Sequence, residues 1–360
     1  MTGEVAELSK RKIKSIVDDV VKTAKAINLV YVSDRDPGIK RVRTGKTFKY
    51  LSGNSTLLNK EHLSRIKSLV IPPAWEDVWI CLLANGHLQA TGIDVKKRKQ
   101  YRYHPDWNLL RNQTKFYHTY EFGKVLPALR LQIEKDLSLP GLPAEKVLAT
   151  VVSLMERTNI RVGNSVYEKL YGSYGLTTLK DKHVTFNGNT IGFTFKGKKG
   201  IEHVINLKSK KLATIVKKCR DIPGKELFQY YNEKGERKSV DSGMVNDYIK
   251  NISGNNFSAK DFRTWSGTVH CVIAFKELGF FESQTEAKKK ITEAYKMVSK
   301  LLGNTPNVCK KYYVHPAIIN LYENKGLEKY IGQINHVELN DDKTGLTHEE
   351  KIVMKILESN

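Results

Sequence analysis

The segment HVTFNGNTIGFTFKGKKGIEHVINL, residues 183–207, interrupts a half of the chain that otherwise reads as helix. Asn187-Gly188-Asn189 and Gly197-Lys198-Lys199-Gly200 are tight-turn signals, so the segment predicts three short antiparallel strands. Upstream, Pro143 opens a helix that places Val147, Leu148, Val151, Val152 and Met155 on one buried face. Downstream, helices are expected to continue to the end of the sequence. Thr347 and Glu350 form a capping box ahead of KIVMKIL (351–357).

The first hundred residues read differently. Residues 5–27 carry Val5, Leu8, Ile13, Ile16, Val17, Val20 and Val21 on one side of a helix. LVYVSDRDPGIKRVRTGKTFKYL (29–51) has strand-like runs broken at Asp36-Pro37-Gly38. A short helix, a Pro72-Pro73 break and two strands around Ala84-Asn85-Gly86 follow. The expected fold is α+β in two lobes. A small N-terminal lobe, residues 1–110, holds an antiparallel sheet, and a mainly helical lobe, residues 111–360, contains the three-stranded insertion.

Among 360 residues, 60 Lys and Arg face 38 Asp and Glu, a net charge of +22. That surplus points to a polyanionic partner, most simply nucleic acid. The basic residues are spread over the chain, unlike a membrane-surface helix with large apolar residues on its other face. Cys81, Cys219, Cys271 and Cys309 show no metal-ligand spacing, so a reducing compartment fits. No signal-peptide core and no membrane-spanning run is visible, so a soluble, cytoplasmic protein is expected.

Four basic or hydroxyl-bearing contexts stand out. ERTNIRVGN (156–164) puts Arg161 just past the apolar helix and beside Gly163, where a backbone can approach a ligand closely. Lys198 occupies the tip of a tight turn. AKDFRTWSGT (259–268) places Lys260 and Arg263 near a helix start with Ser258 as N-cap. GNTPNVCKKYYVHP (303–316) holds Tyr312 and Tyr313 behind Lys310 and Lys311. Singly, each is ordinary: arginines on helices and lysines in turns are mostly solvated, and tyrosine pairs mostly pack. Together they contain what phosphoryl transfer to a phenol requires, namely a nucleophile, cations for the non-bridging oxygens and a proton donor for the leaving oxygen. KKRKQYRY (96–103) adds Lys96, Lys97, Arg98, Lys99 and Arg102 interleaved with Tyr101 and Tyr103, suited to phosphates and bases, or to an exposed edge strand.

The order Arg–Lys–Arg–Tyr, in the contexts RxGN, FxGK, KDFRTW and NTPxVCKKxYVHP, resembles the type IB DNA topoisomerases, nearest their small poxvirus-like and bacterial forms. IPPAWEDVWI (71–80), RKQYRY (98–103) and YGLTTLKDKHV (174–184) extend the resemblance over nearly the whole chain. It implies a two-lobed clamp around double-stranded DNA, acting as a monomer in the cytoplasm at a bacterial-type nucleoid. It implies reversible cleavage through a 3′-phosphotyrosyl link, strand rotation and religation, with no cofactor, ATP or metal. Tyr313 matches the nucleophile because it immediately precedes Val-His-Pro, while Tyr312 falls on a variable position. On a helix the two rings point about 100° apart, so one phosphate selects one of them. Arg161 and Arg263 match the arginines that grip the phosphate, and Lys198 the general acid. Lys260 matches a lysine three residues before Arg263. Asn304 stands where poxvirus and eukaryotic members have histidine; asparagine donates a hydrogen bond but moves no proton. Gln100, Tyr101 and Tyr103 match DNA contacts, with Lys99 beside them. Tyr167 matches another DNA contact or a core tyrosine. His315 is expected to be structural.

A tyrosine site-specific recombinase shares this chemistry. Such enzymes usually carry histidine where Lys260 stands, which favours a topoisomerase. A non-catalytic DNA-binding protein explains the charge but not the full set of reactive residues.

Overall fold

The computed structural model describes residues 19–45, 47–52, 60–95, 97–114, 116–334 and 344–359. The chain divides into two compact units, residues 1–117 and 118–360. Mixed α and β structure with antiparallel sheets runs through both, and helix dominates the second.

In the first unit, five strands pair antiparallel in the order β2-β1-β3-β4-β5. They are β1 (Gly38–Thr44), β2 (Thr47–Ser52), β3 (Glu76–Cys81), β4 (Leu88–Ile93) and β5 (Lys99–Tyr103). Ile39, Val78, Ile80 and Ala90 present one face of the sheet to Ile66 of helix α2 (Lys60–Ser68). Of the N-terminal helix expected over 5–27, residues 5–18 lie outside the described residues. Helix α1 spans Val20–Lys25, with the Asp19 carboxylate accepting from the amides of Val21 and Lys22, both at 3.0 Å. The strand expected from Leu29 does not form. Val30 makes a single bridge to Gly86, and the hairpin turn falls instead at Gly45, whose φ is +61°. Helix α3 (Pro105–Thr114) ends the unit.

The second unit is built on α4 (Tyr117–Leu137) and α5 (Ala144–Thr158), with Val147, Leu148, Val151, Val152 and Met155 all buried as expected. Short helix α6 (Ser165–Tyr171) follows. The three-stranded insertion is present: β6 (Val184–Asn187), β7 (Thr190–Lys196) and β8 (Glu202–Lys208), in that order across the sheet. Helix α7 (Lys210–Arg220) then leads into a feature the sequence reading passed over, a ribbon of β9 (Gln229–Tyr231) and β10 (Arg237–Ser239). Its turn is a local construction in which Asn232 Oδ1 accepts from the amides of Lys234 and Glu236, with Gly235 at φ +72°. Strands of three residues are too short to show a period, which is why a purely helical continuation looked sufficient.

The remaining helices are α8 (Ser242–Ser253), α9 (Ala259–Leu278), α10 (Gln284–Leu302), α11 (Pro306–Tyr312), α12 (Pro316–Glu323), α13 (Glu328–Ile331) and α14 (His348–Ser359). One hydrophobic cluster runs from Phe122 to Leu357, so α14 belongs to the same core as α5 and α9. The expected capping box starts α14: Thr347 N donates to Glu350 Oε2 at 2.9 Å, and Glu350 N donates to Thr347 Oγ1 at 3.3 Å. Glu350 also accepts two parallel bonds of 2.8 Å from buried Arg130 and one of 2.9 Å from Trp265 Nε1. Arg130 completes its set with Glu156 and the Gly345 carbonyl. This saturated network ties α4, α5 and α14 to α9, the helix that carries Arg263.

Candidate active site

Arg263 sits on the second turn of α9, below a start at which Ser258 N and Oγ both donate to Asp261 Oδ2 at 2.9 Å. It is 4 % exposed. One terminal nitrogen donates to the Leu302 carbonyl at 2.7 Å and the other to the Asn159 carbonyl, while Nε is buried without a partner. Asn159 is able to offer that carbonyl because it closes α5 in the left-handed conformation, φ +56°. The same turn delivers Arg161 two residues later. Arg161 donates to the Gly303 carbonyl at 2.9 Å and to Asn304 Oδ1. Two guanidinium groups, 102 positions apart in the sequence, therefore reach the turn after α10.

Burial lowers the pKa of both arginines. For Arg161, the positive charge of Arg263 adds to burial and brings the value to about 10. Among the described residues no carboxylate offsets either charge; the groups that favour the charged forms are Tyr313 and Cys309. Two desolvated like charges held on carbonyl oxygens are costly unless an anion joins them. Asn304 faces the same place: its Oδ1 takes Arg161, and its Nδ2 is buried with no well-aligned acceptor, only the Cys309 sulfur within reach.

Tyr313 completes the cluster. The Arg263 guanidinium carbon lies 5.2 Å from the centre of its ring. Helix α11 stops at Tyr312, and Tyr313 is its C-cap with φ −129° and ψ −12°. The two tyrosines thus diverge because the helix ends between them, and not through the turn of a continuous helix. Tyr313 packs on the core, while Tyr312 is 40 % exposed under Lys311, whose Nζ lies 5.4 Å from its ring centre. Two residues that the sequence reading did not single out hold Tyr313 from behind. A Cβ on Gly267 would stand 2.5 Å from the Tyr313 carbonyl oxygen, so α9 and the tyrosine segment touch backbone to backbone. Thr268 Oγ1 reaches that same carbonyl at 3.4 Å and accepts from His315 N at 3.2 Å. His315 caps α12 by accepting from Ala317 N at 3.2 Å, and burial pushes its pKa down to about 4, in keeping with a structural part.

The family model for the catalytic core of eukaryotic DNA topoisomerase I matches residues 97–338, and the model for the N-terminal domain of bacterial DNA topoisomerase IB matches residues 47–94. The DNA topoisomerase 1B of Acanthamoeba polyphaga mimivirus is 32 % identical over 296 residues, covering 80 % of this chain and 88 % of the viral one. The chain belongs to the type IB DNA topoisomerase family. The vaccinia virus DNA topoisomerase 1B is 25 % identical over 266 residues, 73 % of this chain and 79 % of its own, and the monkeypox DNA topoisomerase I matches over the same shares at 25 %.

In this topoisomerase IB chain the structure brings together Arg161, Arg263, Asn304 and Tyr313. Lys198 and Lys260 are not buried with them: Lys198 is exposed in the turn after β7, and Lys260 is exposed on the first turn of α9. Gly163, φ +103°, does not leave room for a ligand; its close approach is taken up by Gly175, Thr177 and Thr178. Tyr167 is not a core residue, since α6 buries none of its side chains and Tyr167 is 44 % exposed beside Tyr171. In the first unit Tyr101 and Tyr103 stack at 6.0 Å on the exposed face of β5. Lys99 pairs with Asp34, and Gln100 donates to Asp94 at 2.9 Å, so both engage carboxylates of their own unit. Lys96 lies outside the described residues. Among the described residues no helix is long and apolar enough to cross a membrane.

Proposed function

We propose that this chain relaxes supercoiled duplex DNA by transient cleavage of one strand, with Tyr313 as the nucleophile. The observation that carries the reading is the pair of desolvated arginines beside a phenol, with no carboxylate among the described residues to balance them. A phosphodiester carries the negative charge that would balance them. Arg161, Arg263 and Asn304 Nδ2 would bind its non-bridging oxygens, where negative charge grows in the transition state. The Tyr313 oxygen forms a bond to phosphorus and gives its proton to solvent, a change the two cations favour. The bond from phosphorus to the 5′ oxygen breaks, and Lys198 protonates the departing oxygen. The free 5′ end turns about the intact strand, and the reverse steps reseal it. The phosphotyrosyl link conserves the phosphoester energy, so no nucleotide is consumed.

The wider reading belongs to the same proposal. A monomer closes its two units around DNA as a clamp, an arrangement supported by the net charge of +22 and by the exposed rings of Tyr101, Tyr103 and Tyr167. Lys260 meets the backbone near Arg263. Lys99 and Gln100 would exchange their carboxylate partners for DNA. The bacterial N-terminal match supports action at a bacterial nucleoid, whereas the relatives named above are viral.

The deciding experiment is plasmid relaxation in EDTA without ATP, together with capture of the covalent adduct on a nicked substrate. Tyr313→Phe keeps the ring and loses the attacking oxygen, so it should bind DNA but give neither relaxation nor adduct. Tyr312→Phe should remain active. An adduct that survives Tyr313→Phe and disappears in Tyr312→Phe would move the nucleophile by one residue; survival in both would end the covalent reading.

A further inference from the structure

We propose that His203 is a positioning residue, an imidazole strut that sets the hairpin tip carrying Lys198 against the Gly303-Asn304 turn. His203 lies on β8 directly across from Phe195 of β7, and the two rings stack at 5.0 Å with 14° between their planes. The free edge of the imidazole enters a slot between two glycines. A Cβ on Gly197 would lie 2.6 Å from both Cδ2 and Nε2, and a Cβ on Gly303 would collide with Cε1 and come within 3.1 Å of Nε2. Gly303 has an independent reason to be glycine, because it ends α10 at φ +57°. Gly197 has none, since its φ of −91° suits any residue. The space it leaves is the space the ring takes.

The neighbours of those glycines give the slot its meaning. Gly197 immediately precedes Lys198. Gly303 immediately precedes Asn304, and its carbonyl holds Arg161. The hairpin tip is a stiff unit, closed by Gly197 N donating to the Ile201 carbonyl at 2.7 Å and by Gly200 N donating to the Gly197 carbonyl at 3.0 Å. It moves as one body, so the position of the ring decides where Lys198 is aimed relative to the arginines. Burial, with the charges of Arg161 and Arg263 behind it, holds the imidazole below the usual histidine range. The strut is therefore neutral and adds no third charge to the pair. Phe195, Gly197 and His203 form a support beneath the exposed lysine at the tip.

This inference rests on Lys198 being the proton donor to the 5′ oxygen, and the test separates the two ideas. Single-turnover cleavage by the full chain is measured on a suicide duplex whose scissile bond has either a 5′-bridging oxygen or a 5′-bridging sulfur, the latter needing little protonation. His203→Ala should slow cleavage of the oxygen substrate about 100-fold while staying within about threefold of wild type on sulfur. His203→Phe, which keeps a flat ring, should remain within about fivefold of wild type on oxygen, because filling the slot is the task. Lys198→Ala is the reference. If sulfur does not rescue it, the donor role fails and the strut has nothing to position. If sulfur rescues Lys198→Ala but not His203→Ala, or if His203→Ala cleaves oxygen at the wild-type rate, the strut alone is refuted. Should His203→Ala not fold, Gly197→Ala has acceptable backbone angles and displaces the ring with its methyl group. It carries the same expectation and the same refutation.

Discussion

Replacing Gly267 with alanine tests how tightly the position of the tyrosine is set. The added methyl carbon would stand 2.5 Å from the Tyr313 carbonyl oxygen and 3.1 Å from both its carbonyl carbon and its Cβ. An ordinary carbon-to-oxygen approach is about 3.3 Å or more, so the tyrosine segment must withdraw by about 0.8 Å. Gly267 lies one helical turn beyond Arg263, on the same face of α9, so the withdrawal opens the distance between phenol and guanidinium. Stability moves little, since overpacking costs about 1–3 kcal/mol while alanine inside a helix recovers about 1 kcal/mol over glycine. Displacement of a reacting group by about 1 Å costs about 100-fold in rate. Gly267→Ala should therefore form the covalent adduct about two decades more slowly in single turnover, bind duplex DNA with near wild-type affinity and melt close to the wild-type temperature. A wild-type adduct rate would show that the backbone contact does not set the nucleophile. Affinity falling in step with rate would show general damage instead.

Two further outcomes are expected. Glu350 is buried, which disfavours its charged form, but Arg130, Trp265 and the Thr347 amide outweigh burial and hold its pKa below the ordinary glutamate value. Its stabilising contribution is thus complete above the unfolded value, near about pH 4.3, and is lost as pH falls through the folded one. Glu350→Gln should cost about 3–5 kcal/mol at pH 7 in chemical denaturation and leave a flatter stability profile in acid, and an unchanged profile would remove this carboxylate from the account. Duplex binding should weaken by about three to five decades from about 50 to 200 mM salt if six to ten phosphates are neutralised, and a salt-independent constant would contradict a charge-driven grip.

Local signals accounted for much of what was legible in the sequence. The turns at Gly188 and Gly197–Gly200, the buried face of α5 and the Thr347–Glu350 cap each depend on residues within a few positions, and each formed as read. The run from Leu29 to Val32 looked equally strand-like, yet only Val30 finds a partner, since pairing needs a free edge that sequence does not display. The arginines, Asn304 and Tyr313 were visible as motifs, but the turn of Asn159 that seats Arg263 was not. His203 reads as one more polar residue on an alternating strand, and Gly267 as an unremarkable gap in a helix. Their significance lies in contacts across 100 and 46 positions, to Gly303 and Tyr313, which no local pattern announces.

The capping of α14 by Thr347 and its lock onto Trp265 through Glu350 have a consequence for how the chain is made. Synthesis runs from the basic strands of the first unit through Arg161, Lys198 and Arg263, reaches Tyr313 late, and supplies the buttress of α9 later still. A chain emerging from the ribosome accordingly carries its basic strands, and even Arg263 and Tyr313, before the helix that buttresses α9 exists.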